Sequence, residues 1–293
     1  MKRLSLIIVT YESEQDIYDC LDSVWSHCDI QKDELEVIVV DNSPHCEPMF
    51  DKLKKLYGND IVLIHNTHNG GYGQGNNLGI KKATAPVILI MNPDVRLLEP
   101  VFSKVLHAYE KDHRLSLYGM KQMLTPTIPS KNSFACTYMM NGYLFTLLTA
   151  VCNRLDIYLP KHMYISGSCF FIRKEMFEGI GLFDESIFMY GEEDDIHYRL
   201  LKKYGSDMVY DKHLHYIHLV KDREPDIAYE KRAFSSVLTL LKKKGQPKEV
   251  IILNKKRNIN LQLWREKLSK AMGKGNPKLY KLLIDYRNYL NSL

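Results

Sequence analysis

The chain predicts an α/β fold with a mostly parallel central sheet, and three observations predict it. Four apolar runs rich in β-branched residues, LSLIIVTY, LEVIVVDNS, DIVLIHN and PVILIMNPDV, fall within the first 95 residues. Such runs belong to strands buried on both faces. Segments of helical spacing lie between them, and strands alternating with helices at this pace indicate βαβ units with right-handed crossovers. Length is the third: 293 residues, 45% of them hydrophobic, suffice for one large core plus an appendage.

The elements follow in order. After LSLIIVTY, the segment EQDIYDCLDSVWSH places Ile17, Cys20, Leu21 and Val24 on one helical face. LEVIVVDNS is the second strand, FDKLKKLYG a short helix and DIVLIHN the third strand. GGYGQGNNLGIKKATA is a glycine turn running into a helix, and PVILIMNPDV the fourth strand. VFSKVLHAYEKD reads as a helix, although from Glu99 to Leu159 the pattern is otherwise weak. TPTIPSKNSF reads as a surface loop, because Pro and Thr punctuate it. MYISGSCFFIRKEMFEGIG gives a strand, a turn and a short helix. IHYRLLKKYG is a helix stopped by Gly205, and SDMVYDKHLHYIHL alternates like a strand. The remainder, to Leu293, is basic amphipathic helix broken near GQPK and GKGNPK. No internal repeat is visible.

Composition narrows the class. The six cysteines, Cys20, Cys28, Cys46, Cys136, Cys152 and Cys169, are widely spaced and include no CxxC pair. They fit buried thiols of a reduced, cytoplasmic protein and neither a disulfide framework nor a zinc site. The apolar run near the N-terminus, Leu4 to Val9, is short and lacks a small-residue cleavage site, so it is a strand and not a signal peptide. YLFTLLTAV, Tyr143 to Val151, is too short to span a bilayer. The expectation is a soluble protein, or one peripheral on the cytoplasmic face of a membrane. Charge is split: residues 221–293 hold 18 Lys+Arg against 7 Asp+Glu, a net of +11, which leaves −6 for residues 1–220. That division predicts an acidic catalytic domain, 1–220, and a basic, mainly helical region, 221–293, that meets anions or presents a solvated face.

Ligands of open parallel sheets bind beyond the carboxyl ends of the strands. Three such ends carry polar residues here: Thr10-Tyr11-Glu12, Asp41-Asn42 and Asn92-Pro93-Asp94. Each alone could be an Asx turn or a helix cap; three together favour one shared crevice. NGGYGQGNN has GxGxG spacing after a later strand, which fits neither a dinucleotide fingerprint nor a P-loop, so its glycines serve a close backbone approach or a tight turn. Asp94 follows a buried strand and a stiffening proline. A carboxylate there calls for a cation, and Mg²⁺ or Mn²⁺ takes one or two carboxylates and completes its shell with phosphate oxygens.

Glu192, Glu193, Asp194 and Asp195 stand in a row in FMYGEEDDIHYRL. Acids in a first helical turn gain about 0.3–1 kcal/mol each from the dipole, and Asp195 can pair with Arg199 at i,i+4. Those effects account for one or two acids but not for four. Crowded like charges raise a carboxylate pKa, which suits a general base. In HLHYIH, His213 and His215 share one strand face and His218 the other, so the three cannot hold one metal; His218, at the strand end, can join Asp94.

Taken in order, LSLIIVTYES, EVIVVDNSP, HNGGYGQGNNLGI, VILIMNPDV and ISGSCFFIRKEMFEGIGLFDESIFMYGEEDDIHYRL resemble a family 2 glycosyltransferase of the rhamnosyltransferase-like branch, over roughly residues 4–220. The resemblance implies a GT-A fold, Rossmann-like with flanking helices and a C-terminal helical extension. It also implies a nucleoside-diphosphate sugar donor, Mg²⁺ or Mn²⁺, and inversion at the anomeric carbon. By position, Thr10, Tyr11 and Glu12 would line the nucleotide pocket with Asn42 and Asn92 beside it, and Asp41 would accept from the base. Asn69, Gly71 and Asn77 would lie along the donor. Asp94 would close a reduced DxD-like metal motif, and His218 would touch metal or diphosphate. Where the family has Glu-Asp-x-Asp ahead of an arginine, this chain has Glu192, Glu193, Asp194 and Asp195 ahead of Arg199. The expected aspartate is thus Glu193, the implied base, with Asp194 as the other candidate.

The implied activity is transfer of rhamnose from dTDP-rhamnose, or of a hexose from a UDP-sugar, to a hydroxyl of a growing, lipid-linked cell-surface glycan. The basic region, with Trp264 and several tyrosines among lysines, would face an anionic membrane. The rival is a non-catalytic nucleotide-sugar or carbohydrate-binding protein on the same fold. A nucleotidylyltransferase is disfavoured because VTYESEQD lacks the Gly- and Arg/Lys-rich loop such enzymes carry after the first strand, and no nucleic-acid partner is expected.

Overall fold

A computed structural model describes residues 1–137, 143–205, 207–219 and 226–293. Eight strands form one path in the order β3-β2-β1-β4-β10-β6-β11-β5. β1 (Leu4–Thr10), β2 (Leu35–Asp41), β3 (Ile61–His65) and β4 (Val87–Met91) are parallel. β10 (Cys169–Arg173) runs antiparallel between β4 and β6 (Leu115–Thr125), β11 (Asp207–His218) is parallel to β6, and β5 (Val95–Leu97) closes the far edge.

The β-branched runs alternate, and both of their faces are covered. Leu4, Leu6 and Ile8 pack with Leu35, Val37 and Val39 under α1 (Glu14–Ser26), α2 (Glu47–Tyr57) and α4 (Phe102–Lys111). Ile7, Ile38 and Val40 face the other layer, α3 (Tyr72–Lys82), α6 (Lys174–Gly179) and α7 (Glu192–Tyr204). Ile17, Cys20, Leu21 and Val24 are the buried residues of α1, as their spacing predicts. Register then sets the crevice: Thr10 pairs with Asp41 and Asp41 with His65, so these strand ends are flush.

Between Glu99 and Leu159 the structure departs from the expectations. LSLYGMKQMLT, which carries no clear alternation, is β6 and lies inside the sheet. Its polar Gln122 is 1% exposed because Ser130, Ser133, Ser166 and Tyr216 surround its side chain and main chain with hydroxyls. TPTIPSKNSF is not wholly loop: β7 (Ile128–Pro129) turns back on β6, and β8 (Phe134–Cys136) pairs with β9 (Met163–Ile165). YLFTLLTAV belongs to helix α5 (Tyr143–Arg154).

At the C-terminus α8 (Ile227–Lys243), α9 (Lys248–Ala271) and α10 (Pro277–Asn291) pack around Phe234, Ile252, Ile259, Leu283 and Tyr286. Their breaks fall at GQPK and GKGNPK, where glycine and proline end and restart helices. The expected boundary at 220/221 lies outside the described residues. No described helix is long and apolar enough to cross a membrane, and all six cysteines are free thiols.

Candidate active site

The strand ends converge as their register requires. Asp41 is 1% exposed, and its Oδ1 accepts from the Thr10 hydroxyl at 2.6 Å and from the Ser43 hydroxyl at 3.0 Å. The Ser43 amide donates to Oδ2 at 3.2 Å. Thr10 is itself fully buried, so it orients Asp41 instead of lining a pocket. Tyr11 is exposed at the mouth, and Glu12 takes a left-handed φ of 49° held by the hydrogen bond its main-chain amide donates to the Ser43 hydroxyl. The Asn42 side chain donates through Nδ2 to the Gly71 carbonyl at 3.3 Å and accepts at Oδ1 from the Asn66 side chain at 2.7 Å, tying the second strand end to the glycine loop.

That loop serves close packing within the chain. Gly71 has a φ of +93°, and a Cβ there would overlap the Phe188 carbonyl, whose oxygen accepts from the Tyr72 amide at 3.2 Å. Gly75 lies against Val9 and Asn42, and Gly73 against Phe183. Asn69 is exposed, with its side chain accepting from the Gly71 amide. Asn77 departs from the role the resemblance implies. It is 3% exposed, and its amide is engaged by the Phe183 main chain on both sides and by Glu185, so it fastens the 183–185 turn and does not reach the crevice.

On the fourth strand end, the Asn92 amide donates to the Ser168 carbonyl, and the Leu219 amide donates to the Asp94 carbonyl. Asp94 Oδ1 is buried, receives no hydrogen bond and lies 3.3 Å from His218 Nε2. Among the described residues no three His, Cys, Asp or Glu side chains converge on one point. A carboxylate oxygen and an imidazole nitrogen fit Mg²⁺ or Mn²⁺, which rarely take a full protein cage and complete their shell with phosphate oxygens. His215 Nδ1 lies 2.7 Å from Glu99, and His213 is exposed.

The four acids have four different environments. All lie in the first turn of α7, whose positive end favours them. Asp195 is fully buried and bound by Arg199 at 2.7 Å and Lys243 at 2.8 Å. Asp194 is fully buried with Lys244 Nζ 2.7 Å away. Glu192 is 3% exposed, and burial and then the adjacent Glu193 charge push its carboxyl well above the ordinary range. Glu193 is the half-buried member. Its carboxylate covers Gly167 so closely that a Cβ there would overlap it, and the hydroxyl of Tyr72 donates to the Gly167 carbonyl at 2.8 Å. Burial raises the Glu193 pKa, nearby backbone amides pull it down, and the Asp194 charge raises it again, with a net rise.

Lys243, Lys244, Gly167 and Tyr72 were not singled out by the sequence. The lysines read as part of a basic helical face; only the opposite signs of the two halves of the chain hinted at a pairing. A groove of about 410 Å³ lined by Lys2, Trp25, Lys32 and Asp60 opens at the amino-terminal ends of β1–β3, the wrong end of the sheet for the crevice.

The family model for glycosyl transferase family 2 matches residues 5–181, more than half of the chain and nearly all of the strand-end crevice. The chain belongs to glycosyl transferase family 2. A low-salt glycan biosynthesis hexosyltransferase, Agl10, of Haloferax volcanii is 30% identical over 204 residues, 67% of this chain and 61% of that protein. The poly(ribitol-phosphate) beta-N-acetylglucosaminyltransferase TarS of Staphylococcus aureus is 24% identical over 56% of this chain, a match spanning 30% of its own length. A mannosyltransferase of Pyrobaculum calidifontis, solved with GDP-Man and Mn²⁺, superposes with a TM-score of 0.59 at 16% identity, covering 98% of this chain and 69% of that one. GalNAc-T7, solved with UDP, GalNAc and Mn²⁺, gives 0.59 at 17% identity over 81% of this chain and 48% of its own. The fold of this family 2 chain is therefore GT-A, with C-terminal helices added.

Proposed function

We propose that the protein is an inverting, metal-dependent glycosyltransferase. It moves a sugar from a nucleoside-diphosphate donor, dTDP-rhamnose or a UDP-hexose, to a hydroxyl of a growing, lipid-linked cell-surface glycan. The observation that carries this reading is the state of the acid row. Two of its carboxylates carry lysine counter-ions, a third is buried, and Glu193 alone is partly exposed, with a raised pKa. One acid left partly exposed and without a lysine counter-ion, beside two that have one, suits a general base.

In this reading Asp41 holds the nucleobase, with Thr10 and Ser43 fixing its carboxylate, and Asp94 with His218 would hold the divalent cation beside the diphosphate. When bound, the cation stabilises the negative charge of the diphosphate leaving group. Glu193 takes the proton from the acceptor hydroxyl as that oxygen attacks the anomeric carbon opposite the diphosphate. Gly167, lacking a side chain, leaves Glu193 its place. A general base contributes about 10²–10⁴-fold, so Glu193→Gln should lose about that factor in turnover of UDP- and dTDP-sugars while nucleotide affinity is kept. Unchanged turnover in that variant would remove the general-base role from Glu193, whereas nucleotide binding without turnover in the wild type would favour the non-catalytic binding protein.

The partner surface is drawn from α9. Its inner face buries Ile251, Ile252, Ile259 and Leu263, yet Val250, Leu253, Trp264, Leu268 and Met272 are exposed on the outer face. An exposed apolar stripe in a region of net charge +11 suits an anionic bilayer. Trp264→Glu with Leu268→Glu should abolish sedimentation with vesicles containing anionic lipid. Undiminished sedimentation would place the contact elsewhere.

A further inference from the structure

Lys244 sits where a surface lysine of a basic region should not. Its side chain is 2% exposed, Nζ lies 2.7 Å from Asp194 Oδ1, and the Tyr198 ring centroid is 5.3 Å away. It is locked there by the end of α8. The Lys244 amide donates to Leu240, Gly245 turns the chain with φ +64°, and the Gln246 amide donates back to Leu241, while Leu240 and Leu241 are buried. Next to it, Lys243 bridges Asp195 and Asp184. The carboxyl end of one helix thus delivers two cations to the amino end of another that carries four acids, and each helix dipole favours its own charges.

Among the described residues, the charged and titratable groups around the acid row come from three helices and include His197 of α7, a buried imidazole that feels the charges of Asp194 and Lys244. Glu192, Asp194, Asp195 and Arg199 lie on α7, Tyr72 on α3, and Lys243 and Lys244 at the end of α8. Asp194 is the acid that follows Glu193 in the chain, and Lys244, 2.7 Å from its Oδ1, offsets part of its charge.

We infer that Lys244 is a positioning residue that tunes the proton affinity of Glu193 by offsetting the Asp194 charge, which makes the C-terminal helices part of the active site. This rests on the reading of Glu193 as the base. A purely structural ion pair would hold α7 in place yet leave the titration of Glu193 indifferent to which partner is removed. Charge control requires opposite signs. Without Lys244, the less offset Asp194 charge makes Glu193 harder to ionise; without Asp194, the remaining lysine makes it easier.

The test is carboxyl-carbon NMR titration of the full-length protein labelled in its glutamate side chains, with the Glu193 signal assigned by its loss in Glu193→Gln. Lys244→Met should raise the Glu193 midpoint by roughly one pH unit, and Asp194→Asn should lower it by a similar amount. The neutral pair Asp194→Asn/Lys244→Met should return it close to the wild-type value, and Lys244→Arg should leave it there. If Lys244→Met does not fold, Asp194→Asn and the neutral pair still carry the comparison. Midpoints that do not move, or a fall in Lys244→Met alongside a fall in Asp194→Asn, would overturn the inference. The titration needs no donor or acceptor, so its outcome is separate from whether Glu193→Gln loses turnover.

Discussion

The strand-end wall of the crevice, from Thr10 to Asp94, is fixed by main-chain ladders and short local hydrogen bonds, whereas the helical wall, Glu192 to Asp195, is fixed by buried charges. In the first, Thr10, Asp41 and His65 are neighbours because parallel strands hold them in register. In the second, Asp194 and Asp195 depend on lysines about 50 residues away in the chain. A wall built on register tolerates the loss of one side chain. A wall built on paired charges in a dry interior does not, since removing one partner leaves the other uncompensated.

The largest expected effect breaks the helical wall. Lys244→Met leaves Asp194 buried with its lysine gone and should cost about 3–5 kcal/mol in urea unfolding; a loss below about 1 kcal/mol would mean that water reaches Asp194 and the two walls are alike. On the strand side, Thr10→Val removes one hydrogen bond to an Asp41 that keeps two from Ser43. The expected loss is smaller, about 1.5 kcal/mol. A larger loss than that of Lys244→Met would invert the comparison.

The smallest effect concerns pH. Burial would raise the Asp184 carboxyl, but hydrogen bonds from Lys243 and Ser186 outweigh it and hold its pKa at about 2, below the ordinary 3.8. A depressed carboxyl adds stability above its unfolded pKa and loses it as pH falls through the folded one. Between pH 4 and 2 the wild type should therefore lose about 1 kcal/mol more than Lys243→Met does. Parallel curves for the two proteins would detach Lys243 from Asp184.

Most of the strand wall was legible in the sequence because buried parallel strands announce themselves as β-branched runs ending in polar residues. β6 was not: Gly119, Lys121 and Gln122 interrupt it, and Gln122 is buried only because distant serines and Tyr216 satisfy it. α2 starts at Glu47, earlier than the apolar spacing implied, since Pro48 fits a first helical turn. The acid row was visible, but the sorting of its members was not, because a lysine that reads as solvated becomes a counter-ion only through the packing of α8 on α7. Asn77 shows the converse, a polar residue placed along the donor by resemblance and engaged instead by the Phe183 turn.

The division of labour between the walls is tested most directly by calorimetric titration of UDP and dTDP, with and without Mn²⁺, into wild type, Asp94→Asn and Glu193→Gln. Binding of one nucleotide that depends on Mn²⁺ in the wild type, loses that dependence in Asp94→Asn and is unchanged in Glu193→Gln is the predicted result. Equal loss of binding in Glu193→Gln, or metal dependence that survives in Asp94→Asn, would contradict it.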